Sequence, residues 1–311
     1  MPEQALLLLA HGTPETIDQI PEYLLKVTGG RPLPQPVVEE IQHRYSLIGH
    51  SPLTEITVEQ GSLVENELAA SGHHIPVYIA MRNWHPYIAD VVRQMRADGI
   101  QEVAVICLAP QNSRTSVGLY RRAVEAEGAG LRIDFTEAWS QHPLLIAAFA
   151  ERLRPALARL SNEVGAPVPV LFTAHSVPCR TIQTPNAQTT PDPYAAEAKR
   201  TAALVADRVT GIPSWAFAFQ SQGASGGPWI GPTVEHTLDA IAAEGVKTLI
   251  LQPIGFLCDH VEILYDVDIL FRGYAANRGI RLERPESLNA SPTLAKAIAD
   301  LATQGLARLN A

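Results

Sequence analysis

Apolar residues along this chain gather into short unbroken runs that stop at glycine, proline or a polar residue. Six stand out: ALLLLAHG (5–12), IPVYIAMR (75–82), VAVICLAP (103–110), VPVLFTAHS (168–176), SWAFAFQSQ (214–222) and TLILQPIGF (248–256). A strand with one wet face alternates apolar and polar residues. A run that is apolar throughout predicts a strand buried on both faces, as in a parallel sheet. Between the runs, apolar positions recur at helical spacing over 36–47, 57–70, 88–98, 144–160, 194–209 and 233–244. The end of the chain, from Asn289, reads as a capped amphipathic helix that packs on the core. Strands alternating with helices predict βαβ units and a doubly wound α/β fold.

The pattern also repeats. Leu9-Ala10-His11-Gly12-Thr13-Pro14 and Thr173-Ala174-His175-Ser176-Val177-Pro178 both follow an apolar strand and share the form A-H-small-x-P. Two similar halves, each with a histidine where a strand ends, place ligands beyond the carboxyl ends of the strands. The boundary is expected in the polar stretch 161–167 (SNEVGAP), giving domains 1–163 and 164–311. The segments 29–36 (GGRPLPQP) and 182–193 (IQTPNAQTTPDP) read as loops.

Composition narrows the function. With 311 residues the chain has material for two cores. A net charge of −8 without basic runs excludes a nucleic-acid surface. An acidic protein that takes an anionic ligand must concentrate its arginines locally. The three cysteines, Cys107, Cys179 and Cys258, are too few for an iron–sulfur cluster and too scattered for a disulfide framework, which points to a reducing cytoplasmic setting. The first residues carry Glu3 before the apolar run, so they read as a strand and not a signal peptide, and no run is long enough for a transmembrane segment.

Four segments could carry chemistry. His175 sits where an apolar strand stops, and no G-x-S-x-G elbow surrounds Ser176. In GFLCDHVEILYDVD (255–268), Glu262 and Asp266 share one face if 259–270 is helical, with Asp268 beyond; aligned carboxylates can pass a cation or protons. The glycine-rich FQSQGASGGPWIGP (219–232) matches neither a phosphate-binding P-loop nor a dinucleotide loop, but its Trp229 could lie against a flat ligand. In HRYSLIGHSPL (43–53), Arg44 is a natural partner for a carboxylate.

Taken in order, the segments LLLLAHGTP, IPEYL, RYSLIGHSPLTEIT, AMRNWHPYI, LAPQNSRTSVGLY, FTAHSVP, DPYAAE, FQSQGASGGPWIGPTV and QPIGFLCDHVEILYDVD resemble the ferrochelatase family over nearly the whole chain. The resemblance implies a lyase of haem biosynthesis: two Rossmann-like domains of the chelatase fold with a porphyrin cleft between them, and Fe2+ inserted as substrate without ATP or another cofactor. It implies His175 and Glu262 as the catalytic pair, with Asp266 continuing the metal-handling row. It implies porphyrin contacts at His11, Arg44, Tyr45, Ser51, Tyr120 and Trp229. His11 stands where compact relatives often carry a tyrosine, which leaves axial ligation open. An arginine that relatives carry near Thr28 and Gly29 is missing, although Arg31 is close.

Length, the ending and the lack of a four-cysteine extension resemble the compact bacterial enzymes that metallate coproporphyrin III, so coproporphyrin III is the expected substrate and protoporphyrin IX the alternative. A cobalt or nickel chelatase acting on sirohydrochlorin and a non-catalytic tetrapyrrole carrier are the other readings. A transient protein partner from the haem pathway would fit an enzyme of this class. Whether His175 acts as ligand or base stays open.

Overall fold

The computed structural model describes residues 3–182, 191–223 and 227–311. The chain forms two compact units, Met1–Trp139 with Asn289–Ala311, and Ser140–Leu288.

The first unit contains β1 (Gln4–Ala10), α1 (Ile20–Val27), α2 (Gln35–Ile48), α3 (Leu53–Ala70), β2 (Val77–Met81), α4 (Ile88–Ala97), β3 (Glu102–Cys107), α5 (Val117–Glu127) and β4 (Arg132–Thr136). Its strands are all parallel, in the order β2-β1-β3-β4. The unbroken apolar run of β1 has the predicted cause. Ala5, Leu7 and Leu9 join a core with α4 and α5, while Leu6 and Leu8 are fully buried on the opposite face. Each such leucine contributes about 1.5–3 kcal/mol on burial.

The second unit contains α6 (Pro143–Val164), β5 (Val170–His175), α7 (Cys179–Ile182), α8 (Tyr194–Arg208), β6 (Trp215–Gln220), α9 (Val234–Ala243), β7 (Thr248–Pro253), a π-helical segment over Glu262–Phe271, α10 (Arg272–Ala276) and β8 (Arg281–Glu283). Its sheet is also parallel and has the equivalent order, β6-β5-β7-β8. Leu171, Leu249 and Leu251 pack with Leu238 of α9 and with Ile263, Val267 and Phe271 of the π segment. The internal echo in the sequence thus has a topological counterpart: β1 and β5 occupy the same sheet position, and His11 and His175 stand at their carboxyl ends.

All six apolar runs are strands. Two edge strands escape the pattern because they are short and polar: β4 reads RIDFT and β8 has three residues. The division of the chain also differs from the expected 1–163 and 164–311. The stretch 161–167 is a helix stop: α6 ends at Val164 and Gly165 takes the left-handed conformation that caps it, at φ 68°. Both α6 and β5 therefore belong to one unit, and the division falls at Trp139/Ser140. The expected loop 182–193 lies mostly on 183–190, outside the described residues.

The last helix, α11 (Pro292–Leu309), returns to the first unit. The Ser291 hydroxyl caps it by accepting from the Leu294 N–H. It lies against α3, β3 and β4. Gly305 allows the close approach, since a Cβ there would stand 2.9 Å from an Asp134 carboxylate oxygen and 3.2 Å from the Ala104 methyl. Arg308 forks onto both Asp134 oxygens at 2.8 and 2.7 Å. No helix among the described residues is long and apolar enough to cross a membrane.

A fragment of residues 140–288 is expected to unfold cooperatively on heating, followed by far-ultraviolet circular dichroism. Residues 164–311 are expected not to, because that cut removes α6 from its own core and strands α11 without the sheet it covers. Equal cooperativity of the two fragments would disprove this division.

Candidate active site

His175 is the last residue of β5, and its position is set by strand pairing on both sides. β6 runs parallel to β5 with Gln220 opposite His175, and the Ile254 N–H donates to the Thr173 carbonyl at 2.8 Å. Gly255 follows β7 where no side chain fits: a Cβ there would meet the Ala174 methyl at 2.9 Å. The Tyr194 hydroxyl, at the start of α8, donates to the His175 carbonyl at 2.8 Å. These contacts fix the backbone from three elements.

Both ring nitrogens are engaged. Nδ1 lies against the Ser176 carbonyl, which only accepts, so Nδ1 carries a proton. Nε2 is 3.1 Å from Oε1 of Glu262, the first residue of the π segment. The second carboxylate oxygen of Glu262 is 3.5 Å from Nε2 of His260. The Gln220 amide donates to the Glu262 backbone carbonyl at 3.3 Å and the Thr173 hydroxyl to the Gln220 side-chain oxygen at 2.6 Å, so a buried polar chain ties β5, β6 and the π segment together. Rings of Phe256 and Trp229 flank His175, with centroids 6.2 and 6.4 Å away.

Charge follows from this geometry. Burial opposes a charged imidazole, but the Glu262 carboxylate, the Ser176 carbonyl and Asp266 outweigh it and raise the His175 pKa above its ordinary value. Burial likewise opposes the Glu262 carboxylate, and His175 and His260 together hold its pKa well below the ordinary range. About a third of each side chain stays exposed, so the pair is open to a ligand. Its contribution to stability is complete between the ordinary carboxylate and imidazole values of 4.5 and 6.5. It is lost as pH rises through the raised His175 value, or falls through the lowered Glu262 value.

The acidic row is shorter than the sequence suggests. The helix begins at Val261 and its 262–271 portion is π, each N–H reaching five residues back. Asp266 is buried and accepts from the Ser221 hydroxyl. Asp268 is not a step in the row. Arg284 grips both its oxygens at 2.9 and 2.7 Å and also reaches Asp259 at 3.1 Å. Arg284, which arrives from beyond β8, neutralises this end of the segment. No group of three or more His, Cys, Asp or Glu side chains among the described residues is arranged to hold a metal ion. His175 and Glu262 lie 3.1 Å apart, and Asp266 acts on His175 through its charge.

The other candidate residues differ in standing. Trp229 is half-buried, bridges to Pro178, and rests its ring on Gly223, where a Cβ would touch it at 3.0 Å. Residues 224–226 of its loop lie outside the described residues. In the first unit, His11 repeats the arrangement of His175: Nδ1 is 3.2 Å from the Gly12 carbonyl and 3.1 Å from the Tyr23 hydroxyl. Its Nε2 faces the Asn83 amide at 2.9 Å, so the lone pair that axial ligation needs is already engaged. Gly12 sits at φ 85° with a Cβ excluded by Trp84 at 2.8 Å, which keeps this turn tight. Tyr45 is buried and bonded to the Thr13 hydroxyl at 3.0 Å, which makes it core. Tyr120 is also buried, and burial pushes its hydroxyl pKa up. Ser51 is buried with a hydroxyl that has no hydrogen-bond partner. Arg44 pairs with Glu40 at 2.9 Å on α2, a surface contact that a ligand carboxylate can displace. Arg31 is exposed and turned to the Thr28 carbonyl at 3.4 Å.

Three residues around the pair had no assigned role in the sequence reading: His260, Gln220 and Tyr194. His260 was legible as a histidine two positions before Glu262. Gln220 and Tyr194 lay within motifs, but their part is visible only once β6 and α8 are set beside β5.

The family model described as Ferrochelatase matches residues 3–306. A ferrochelatase from Acidobacterium capsulatum is 59% identical, the alignment covering 99% of this chain and 96% of that one. A coproporphyrin III ferrochelatase from Mycolicibacterium vanbaalenii is 35% identical over 97% of this chain and 89% of its own. Among solved structures, SirB from Bacillus subtilis with Fe3+ aligns with a TM-score of 0.57 at 12% identity, covering 99% of this chain and 98% of that one, which is a likeness of fold. With the imidazole–carboxylate pair in place and the match running almost end to end, the chain belongs to the ferrochelatase family.

Proposed function

We propose that this protein inserts Fe2+ into coproporphyrin III, with His175 and Glu262 exchanging metal and protons at one point. The observation that carries the reading is the 3.1 Å contact between His175 Nε2 and Glu262, still one-third exposed. Imidazole and carboxylate together suit Fe2+.

Metal and proton compete for the same atom. In the resting pair Nε2 shares a proton with Glu262, and a metal ion must displace that proton to bind there. Two pyrrole protons leave the macrocycle as one Fe2+ enters. As iron passes on, the vacated Nε2 takes one of those protons and restores the imidazolium–carboxylate pair. The other leaves by the second Glu262 oxygen and His260. The protein gains rate by holding the macrocycle closer to the shape in which its nitrogens are open, which is binding stronger in the transition state than in the ground state.

The choice of coproporphyrin III is supported by relatives that carry that substrate in their names, from Mycolicibacterium vanbaalenii and, at 34% identity, Halalkalibacterium halodurans. This reading assigns substrate carboxylates to Ser51, with its unpartnered hydroxyl, and to Arg44, which pairs with Glu40 at the surface. Three free cysteines suit a reducing cytoplasm. A carrier of the haem product remains a partner this reading calls for.

Anaerobic incubation with Fe2+, followed by loss of free-porphyrin fluorescence, is expected to show catalytic turnover of coproporphyrin III well above that of protoporphyrin IX. The reverse preference would keep the enzyme and overturn the substrate. His175→Ala is expected to abolish turnover while porphyrin still binds. In Glu262→Gln the main cause raising the His175 pKa is gone while burial remains, so its imidazole signals by NMR are expected to titrate below the wild-type value; titration at or above the wild-type value would refute the coupling.

A further inference from the structure

The first unit contains a recess of about 390 Å³ lined by Lys26, Arg82, Tyr87, Ile88, Ala89, Ala123, Ala126 and Glu127. Its volume lies within the range of small-molecule sites, roughly 300–1,000 Å³. None of its polar groups belongs to the His175 centre. Two of them are buried with no hydrogen-bond partner: the Nε of Arg82 and the hydroxyl of Tyr87. Buried donors of this kind are rare and costly, and the cost is greatest for a charged group.

The cations at this recess rest on aromatic faces and not on acids. The Lys26 ammonium lies 5.6 Å from the Tyr87 ring centroid. The Arg82 guanidinium lies 5.4 Å from the Tyr120 ring. Cation–π contact of this sort leaves N–H donors unspent. Glu127, at the same recess, is paired with neither cation. Arg82 enters from the end of β2, Tyr87 from the start of α4, Lys26 from α1, and the alanines from α4 and α5, so four elements converge on one small volume.

We propose that this recess is a binding site for a monocarboxylate with an apolar body. Lys26, the Arg82 Nε–H and the Tyr87 hydroxyl supply three donors for the two carboxylate oxygens. Ile88, Ala89, Ala123 and Ala126 supply the apolar wall. Two lining cations face the single lining acid Glu127, and Glu22 and Asp90 act on the Tyr87 hydroxyl from nearby, so the positive charge suffices for a carboxylate and not for a phosphate dianion. The volume exceeds what a bare acetate fills, so the alkyl or aryl part binds as well. The ligand can be a free acid or a carboxylate-bearing side chain of a larger molecule, since the recess reads only the carboxylate and the carbons next to it. The inference rests on the first unit alone and does not depend on the roles given to His175 and Glu262.

The probe is sodium hexanoate added to the full-length protein, read by amide shifts in proton–nitrogen NMR spectra. Shifts are expected at Ile88, Ala89, Ala123 and Ala126, with hexan-1-ol and acetate each binding about tenfold more weakly, the first for want of charge and the second for want of apolar surface. Lys26→Met and Arg82→Gln are each expected to weaken hexanoate about tenfold. Lys26 is solvent-exposed, so its variant tests the site even if Arg82→Gln unfolds. Tyr87→Phe is expected to weaken hexanoate yet not lower the ligand-free melting temperature, because its hydroxyl has no protein partner to lose. Displacement of hexanoate by coproporphyrin III would identify the ligand as a macrocycle side chain, and no displacement would identify a free acid. Absent shifts at these four residues, equal binding of hexan-1-ol, or undiminished binding to Lys26→Met would overturn the proposal.

Discussion

An imidazole with both nitrogens already claimed is the constraint around which the second unit is built. The Ser176 carbonyl demands a proton on Nδ1, and Glu262 demands one on Nε2. Satisfying both makes the ring a cation, and a cation among buried groups survives only while its carboxylate stays in place. The surrounding polar chain serves that end. Thr173 holds Gln220, Gln220 holds the Glu262 backbone, and Tyr194 holds the His175 carbonyl. The result is a site whose resting state is charged yet neutral in sum.

The first unit shows what the same device does without charge. His11 ends the equivalent strand and also lies against the carbonyl of the next residue. Its outer nitrogen meets Asn83, and an amide brings no negative charge to hold a second ring proton. One scaffold, used twice, thus sets a histidine against a carboxylate in one unit and against an amide in the other.

The sequence disclosed the fold's centre better than its margins. The runs at 5–12 and 168–176 announced strands because burial on both faces leaves no room for polar residues. β4 and β8, at the sheet edges, need no such purity and gave no signal. His175 and Glu262 could be paired only through resemblance, since 87 residues separate them. The partners of Tyr45 and Asp268 were illegible for a related reason. Sequence spacing shows which residues lie near one another along the chain, but Thr13 and Arg284 reach those two side chains from elsewhere in the fold. The stretch 161–167 is ambiguous in the same way: SNEVGAP has the composition of a linker, and a left-handed glycine cap has the same composition.

The return of α11 to the first unit bears on the order in which the protein is made. A ribosome releases residues 1–139 with the β3–β4 face of their sheet bare, because the helix that covers it begins at Pro292. The intervening unit, residues 140–288, must be translated first, a delay on the order of ten to thirty seconds at bacterial elongation rates of ~5–20 residues per second. The inserted unit has every one of its own strands and helices by then and can close at once. The amino-terminal unit therefore finishes last, when the final helix leaves the exit tunnel, so that the half synthesised first stays exposed to proteases and chaperones for the longest time.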